Sequence, residues 1–237
     1  MPTVHWRAEA DNWARFARSG TDSYEQYRDA FYDDLVPPVE GIAIDIGCGE
    51  GRTTRDLSRR IRTIGIDAST TMISYAKEAD PTGEYAVADA AELPFREAAF
   101  DLAIAYNSLM DVDDMSRSVS EATRVLKSGG HFCVCILHPM ADAGRFTQRT
   151  GDAPFVIDVD YLARRSLDET IERAGVAMRF KSVSYPLQDY ARAFEDAGLV
   201  IQALREPSVR EEDVERDPTE RRWQRIPLFL FFRLLKL

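Results

Sequence analysis

Residues 42–52, Ile-Ala-Ile-Asp-Ile-Gly-Cys-Gly-Glu-Gly-Arg, constrain this chain more than any other stretch. Five residues, apolar but for Asp45, read as a short buried strand. Gly47, Gly49 and Gly51 follow at every second position, and Leu57 and Ile61 then sit four apart, as on one face of a helix over 53–61. Strand, glycine turn and helix in that order let a ligand lie against bare backbone at a helix N-terminus. Such a unit needs further strands and helices around it to bury the strand on both faces.

The rest of the chain supplies them. Residues 63–67 and 85–89 are short strands, each ending in a carboxylate, Asp67 and Asp89. Between them a helix over 69–77 carries Met72, Ile73 and Ala76, with Ser69 or Thr70 as its cap. Residues 100–106 form a fourth strand. A helix over 113–126 follows, stopped by Lys127-Ser-Gly-Gly130 with glycine in a C-cap role, and residues 131–137 form a fifth strand. Residues 187–197 read as a helix closed by Gly198. Residues 199–204 and the apolar close at 226–236 read as strands; joined without a helix, they make an antiparallel hairpin. The predicted fold is α/β: a Rossmann-like, mostly parallel seven-stranded sheet with an antiparallel last strand and helices on both faces.

Two regions stand outside this alternation. Before it, residues 5–36 place Trp6, Trp13, Phe16, Tyr24, Tyr27, Phe31 and Leu35 at helical spacing around a break at 19–22. They read either as two helices docked on the domain or as a lid. After it, residues 140–185 give mixed signals, with a possible helix at 167–175, and residues 207–222 read as a charged surface loop. The organisation expected is one domain in four parts: a helical lid at 1–38, a ligand-binding core at 39–139, a substrate-binding insertion at 140–185, and the end of the sheet at 186–237.

Composition narrows the partners. With 40 acidic against 30 basic residues the net charge is −10, which argues against a nucleic-acid surface. Three cysteines without Cys-x-x-Cys spacing argue against a disulfide framework and a zinc site. No apolar run approaches the ~18 residues of a membrane span and no signal-peptide core opens the chain, so a cytoplasmic protein is expected, monomer or homodimer.

Three acids decide between ligands. A dinucleotide fingerprint requires a third glycine where Arg52 stands. Asp45 before the turn would repel a pyrophosphate and attract an ammonium group. Asp67 is placed to accept hydrogen bonds from ribose hydroxyls and Asp89 from an adenine amino group. A cationic adenosine cofactor fits these carboxylates. The stretches Asp45–Arg52, Gly65–Ser69, Ala88–Phe95, Phe100-Asp-Leu and Arg124–Gly130, in that order, resemble the successive motifs of class I S-adenosylmethionine-dependent methyltransferases. Ser108–Asp111, Ile136–Pro139 and Arg225–Leu230 resemble a subgroup of bacterial small-molecule methyltransferases.

That resemblance implies S-adenosyl-L-methionine as cofactor and a small-molecule acceptor. Gly47, Cys48 and Gly49 would pass under its methionine part and Asp45 would address its amino group. Asp67 would hold the ribose, Ala68 and Met72 would flank the adenine, Asp89 and Ala90 would read its edge, and Tyr106 and Asn107 would lie beside the methyl. Tyr24, Met110 and His138 are the candidate acceptor contacts, with His138 also the candidate general base. The chain lacks the Pro-Pro motif of base- and glutamine-methylating enzymes and the cysteine of RNA cytosine-C5 enzymes after the fourth strand. No metal is expected, since Asp111, Asp113 and Asp114 at a helix start read as caps. A non-catalytic sensor or scaffold for the cofactor, and an NAD(P)-dependent oxidoreductase, are the alternatives.

Overall fold

A computed structural model describes residues 2–20, 22–173 and 175–237. Helix α1 (Pro2–Arg18) and α2 (Tyr24–Asp29) precede the first strand, and α2 continues into a π-helical turn at Ala30–Leu35. Then come β1 (Ile42–Ile46), α3 (Arg52–Leu57), β2 (Arg62–Asp67), α4 (Thr70–Ala79), β3 (Glu84–Val87), β4 (Phe100–Tyr106), α5 (Met115–Val125) and β5 (Leu126–Leu137). The region after β5 holds α6 (Pro139–Asp142), β6 (Gly144–Phe146), β7 (Phe155–Ile157), β8 (Arg165–Arg173) and β9 (Val176–Ser184). The chain closes with α7 (Leu187–Asp196), β10 (Leu199–Arg205), α8 (Glu211–Arg216), a 3₁₀ turn at Pro218–Gln224, and β11 (Phe229–Lys236).

Seven strands make one sheet in the order β10-β11-β5-β4-β1-β2-β3. β1 to β5 are parallel, while β11 pairs antiparallel with both β10 and β5. The central strands are buried on both faces, so they read as apolar runs without alternation. One face packs under α5 and α7 through Met115, Val119, Ala122, Tyr190 and Phe194. The other packs under α2 and its π turn, where Tyr27 meets Phe229 and Phe31 meets both Tyr106 and Phe231 edge to face. Burial of each such ring contributes roughly 1.5–3 kcal/mol. Cys133 and Cys135 share that second face.

Three expectations are corrected. The helix expected at 167–175 is not formed by the described residues there: β8 and β9 pair antiparallel from Arg165↔Ser184 to Arg173↔Val176. Leu167 and Ile171, four apart, satisfy a helical period and a strand period equally, and the partner strand settles it. Lys127–Gly130 is not a helix cap. α5 stops because Leu126 turns extended and pairs with Phe100; the ladder resumes at Leu102↔His131, so 127–130 bulge out with Gly129 at φ +78. Residues 207–222 are not a plain loop, since α8 buries Asp213 and Val214 and the 3₁₀ turn follows it.

Candidate active site

β1 and β2 lie in register, Asp45 opposite Gly65 and Ile46 opposite Ile66, so the glycine turn and Asp67 emerge together at the C-terminal edge of the sheet. The N–H groups of Gly47 and Cys48 both donate to the Ile66 carbonyl at 2.9 Å. The Gly49 N–H donates to Asp67 Oδ2 at 3.0 Å, and the Ser69 N–H to Asp67 Oδ1 at 2.8 Å. Gly47 stands at φ +76, and a Cβ there would lie 2.4 Å from the Ser108 Cβ. Gly49, at φ +55, would bring its Cβ to 3.2 Å from Trp13 Nε1.

A cavity of about 610 Å³ opens over this edge, within the usual range of small-molecule sites. Gly47, Cys48, Gly49, Asp67, Ala68 and Met72 form one end. Asp89 and Ala90 continue that wall, with Asp89 at its exposed rim, where it accepts the Ala91 N–H at 2.8 Å. Tyr106 and Asn107 form the floor at the end of β4, and Tyr24 and Met110 also line the space. The Tyr106 hydroxyl is buried without a hydrogen-bond partner, and burial raises its pKa far enough to keep it neutral.

Two expected residues are not on this wall. Asp45 is fully buried behind the turn, where its Oδ2 accepts from the Thr53 and Thr54 hydroxyls at 2.5 and 2.6 Å. It fastens α3 to β1; burial pushes its carboxyl up to about 6 against the pull of those two hydroxyls. His138 is placed elsewhere as well. Its Nδ1 accepts the Met140 N–H at 3.0 Å as the cap of α6, which leaves the proton on Nε2, facing Glu206 at 2.9 Å. With both nitrogens engaged and burial lowering its pKa, the imidazole has no lone pair to offer the cavity.

Sequence reading missed several groups that do line it. Arg52 pairs with Asp22 and lies 4.4 Å from the Tyr24 ring centroid and 5.5 Å from that of Trp13. Phe180 of β9 meets Trp6, Trp13 and Phe16 edge to face, so α1 and the β8–β9 hairpin share one aromatic cluster over the opening. Asp111 and Asp142 also face the space. Burial drives the Asp111 carboxyl well above the usual carboxylate range, with the Trp6 indole opposing and Asp142 adding to the rise. Asp142 is pushed up to about 7, again mainly by burial. Asp114, not Asp111, caps α5, through the Arg117 N–H at 2.9 Å. No sequence signal separates the two acids, because capping is decided by where the helix starts.

The turn offers little to a phosphate. The N–H groups of Gly47, Cys48 and Gly49 are engaged within the protein, and the Arg52 N–H donates to Glu50 Oε2 at 3.1 Å. Carboxylates line the wall where a pyrophosphate would need donors. A glycine turn after the first strand, an acid after the second, and an antiparallel pair at the end of a seven-stranded sheet define a Rossmann-like methyltransferase fold.

Residues 44–134 match the methyltransferase domain family. A protein of Mycolicibacterium smegmatis named "Probable S-adenosylmethionine-dependent methyltransferase" is 27% identical over 186 residues, 76% of this chain and 66% of that protein. The demethylmenaquinone methyltransferase of Thermotoga maritima is 32% identical over 107 residues, 44% of this chain and 46% of that enzyme. A solved S-adenosylmethionine-dependent methyltransferase from Mesorhizobium loti superposes with a TM-score of 0.70 at 23% identity, covering 89% of this chain and 97% of that one. The chain spans about one to two thirds of the length of the curated relatives it matches. Residues 44–134 are thus similar to the methyltransferase domain family, within the fold of solved S-adenosylmethionine-dependent methyltransferases, and the cofactor that this similarity implies is S-adenosyl-L-methionine. The wall fits that cofactor: the glycine turn admits close approach, Asp67 keeps acceptor capacity beside it, and acids rather than free N–H groups face a cationic ligand.

Proposed function

We propose that the protein transfers a methyl group from S-adenosyl-L-methionine to an O, N or C atom of a small organic molecule held between α1 and the β8–β9 hairpin. The observation that carries this reading is that one continuous cavity runs from the glycine turn and Asp67 to the inner side of the hairpin. The cofactor supplies an activated methyl on a sulfonium sulfur. The protein's task is then alignment and exclusion of water.

Gly47, Cys48 and Gly49 bind the methionine part, Asp67 takes the ribose hydroxyls, and Ala68 and Met72 sandwich the adenine with Asp89 and Ala90 at its edge. Tyr106 and Asn107 stand beneath the reacting atoms, and Tyr24 and Met110 meet the acceptor. Helix α1 is held over them from two sides. Arg7 Nε donates to the Ala68 carbonyl at 3.2 Å, the Tyr75 hydroxyl donates to Asp11 at 2.8 Å, and His5 Nε2 lies 2.8 Å from the Arg179 carbonyl oxygen. These bonds and the aromatic cluster make the N-terminal segment a closed lid, and the hairpin is the part of the 140–185 insertion that faces the acceptor. The Thermotoga relative's named acceptor, demethylmenaquinone, is itself a small organic molecule. No helix among the described residues is long and apolar enough to cross a membrane.

Calorimetry with S-adenosylhomocysteine and with NADH, followed by transfer of a labelled methyl to a panel of phenols, amines and carboxylic acids, tests the proposal. Binding of the first ligand alone and label in one acceptor class is the expected result. Binding of NADH instead would remove the cofactor reading, and label in no acceptor would leave a cofactor-binding protein without turnover.

A further inference from the structure

Resting on the methyl-transfer reading, we infer that the acceptor carries a protonated amine attached to an apolar or aromatic body, and that Asp111 and Asp142 receive that amine. The hairpin is built for such a guest. Leu167, Glu169 and Ile171 alternate along β8 toward the cavity, and Phe180 and Ser182 of β9 stand opposite Glu169 and Leu167 on the same face. Apolar side chains and the Phe180 ring thus surround acids, a combination that suits a cation with a greasy body.

The charges point the same way. Two arginines line the cavity, and both are already paired: Arg52 with Asp22 and Arg145 with Asp158. Among the described residues, no lysine, arginine or histidine forms an ion pair with Asp111, Asp142 or Glu169. The Arg165 charge and the Ser184 hydroxyl favour the ionised Asp142 carboxyl, but the Arg165 hydrogen bonds go to the Asp142 backbone carbonyl at 2.7 Å and to the Ser184 hydroxyl at 3.2 Å. Asp111 and Asp142 line the same cavity; the Asp142 and Asp67 charges add to the cost of ionising Asp111, and the Glu169 charge adds to that of Asp142. An ammonium between them relieves that repulsion and gains charge-assisted hydrogen bonds; an anion is repelled and a neutral molecule relieves nothing. The Tyr106 hydroxyl, more than nine-tenths buried and unpartnered on the floor of the same cavity, supplies a further oxygen acceptor for an N–H.

The same pair provides for the proton. An ammonium nitrogen has no lone pair, so an N–H bond must break before that nitrogen takes a methyl. Asp142 accepts this proton as its O–H forms, leaving a neutral amine and a neutral acid, with no net change of charge in the cavity.

The test is calorimetry on the protein saturated with S-adenosylhomocysteine, using three probes that share a phenyl body: 2-phenylethylamine, 2-phenylethanol and 3-phenylpropionate. The amine is expected to bind about ten-fold or more tightly than the alcohol, with the propionate weakest. Asp111→Asn and Asp142→Asn should each erase most of that preference while S-adenosylhomocysteine affinity stays within about three-fold of wild type. Glu169→Gln, on an exposed strand position, guards against loss of folding in the buried variants and should lower the preference by less. Equal or reversed ranking of the three probes, including no binding by any, overturns the inference. Failure of S-adenosylhomocysteine to bind overturns the cofactor reading instead, and the probe ranking on the free protein still decides the amine.

Discussion

The Asp67 carboxylate accepts the Gly49 N–H at 3.0 Å, so the acid that ends β2 also holds in place the glycine turn that ends β1. One side chain therefore shapes the turn and also presents acceptor oxygen to the cavity. Asp67→Ala is expected to weaken S-adenosylhomocysteine binding by about 1–3 kcal/mol, the loss of a charge-assisted acceptor. Asp67→Asn should lose less, because its amide oxygen can still accept one N–H. Calorimetry showing unchanged affinity for the alanine variant would refute the ribose assignment.

Arg52 joins the N-terminal segment to the core through Asp22 and the Tyr24 and Trp13 rings, and so would fasten the proposed lid. Arg52→Ala should speed cofactor release by about ten-fold, since a partly buried cation–π contact and an ion pair are both lost. Arg52→Lys should not restore the wild-type rate, because an ammonium lacks the planar fork that stacks and pairs at once. Stopped-flow tryptophan fluorescence, with Trp13 in the lid, reads the rate directly.

For His138 the geometry predicts a stability effect and little else. Removing the cap in His138→Ala should cost about 1 kcal/mol in denaturant unfolding, and His138→Asn, a good capping residue, should recover most of it. Both variants should keep the wild-type pH–rate profile. Loss of a limb near neutral pH in the asparagine variant would mean the imidazole does reach the acceptor.

Asp45 makes stability depend on pH in a direction that can be derived. Its carboxyl is raised in the folded protein to about 6, so folding favours the protonated form. Its contribution is fully present below the unfolded value near 4 and is lost as pH rises through about 6. Relative to Asp45→Asn, the wild type should lose up to about 3 kcal/mol between pH 4 and pH 8. Urea unfolding of both proteins at those two pH values checks the sign; a gain with rising pH would contradict it.

The order of strands and helices from 42 to 137 was legible because apolar runs and glycine breaks report local geometry. The last two strands do pair antiparallel, as their apolar runs led one to expect, although α8 and a 3₁₀ turn, not a plain loop, connect them. The hairpin at 165–184 was not legible. Its inward residues are partly polar, as a ligand-facing wall requires, and polar residues facing inward erase the alternation by which a strand is recognised.

The site divides along the same line. Gly47, Gly49, Asp67 and Met72 could be read as cavity residues from the chain alone, because each belongs to a short local motif whose geometry is set by neighbours in sequence. Asp45 and His138 could not be placed: whether a strand-end side chain faces a cavity or a helix depends on what packs behind it, here Thr53 and Thr54 for one and Glu206 for the other. By itself the sequence determined the sheet, the turn and the family of the donor. Only the tertiary structure decided which acids line the cavity and which cap or pair elsewhere. Asp111, Asp142 and Phe180 come from three separate elements, and a local pattern carries no record of distances closed by folding.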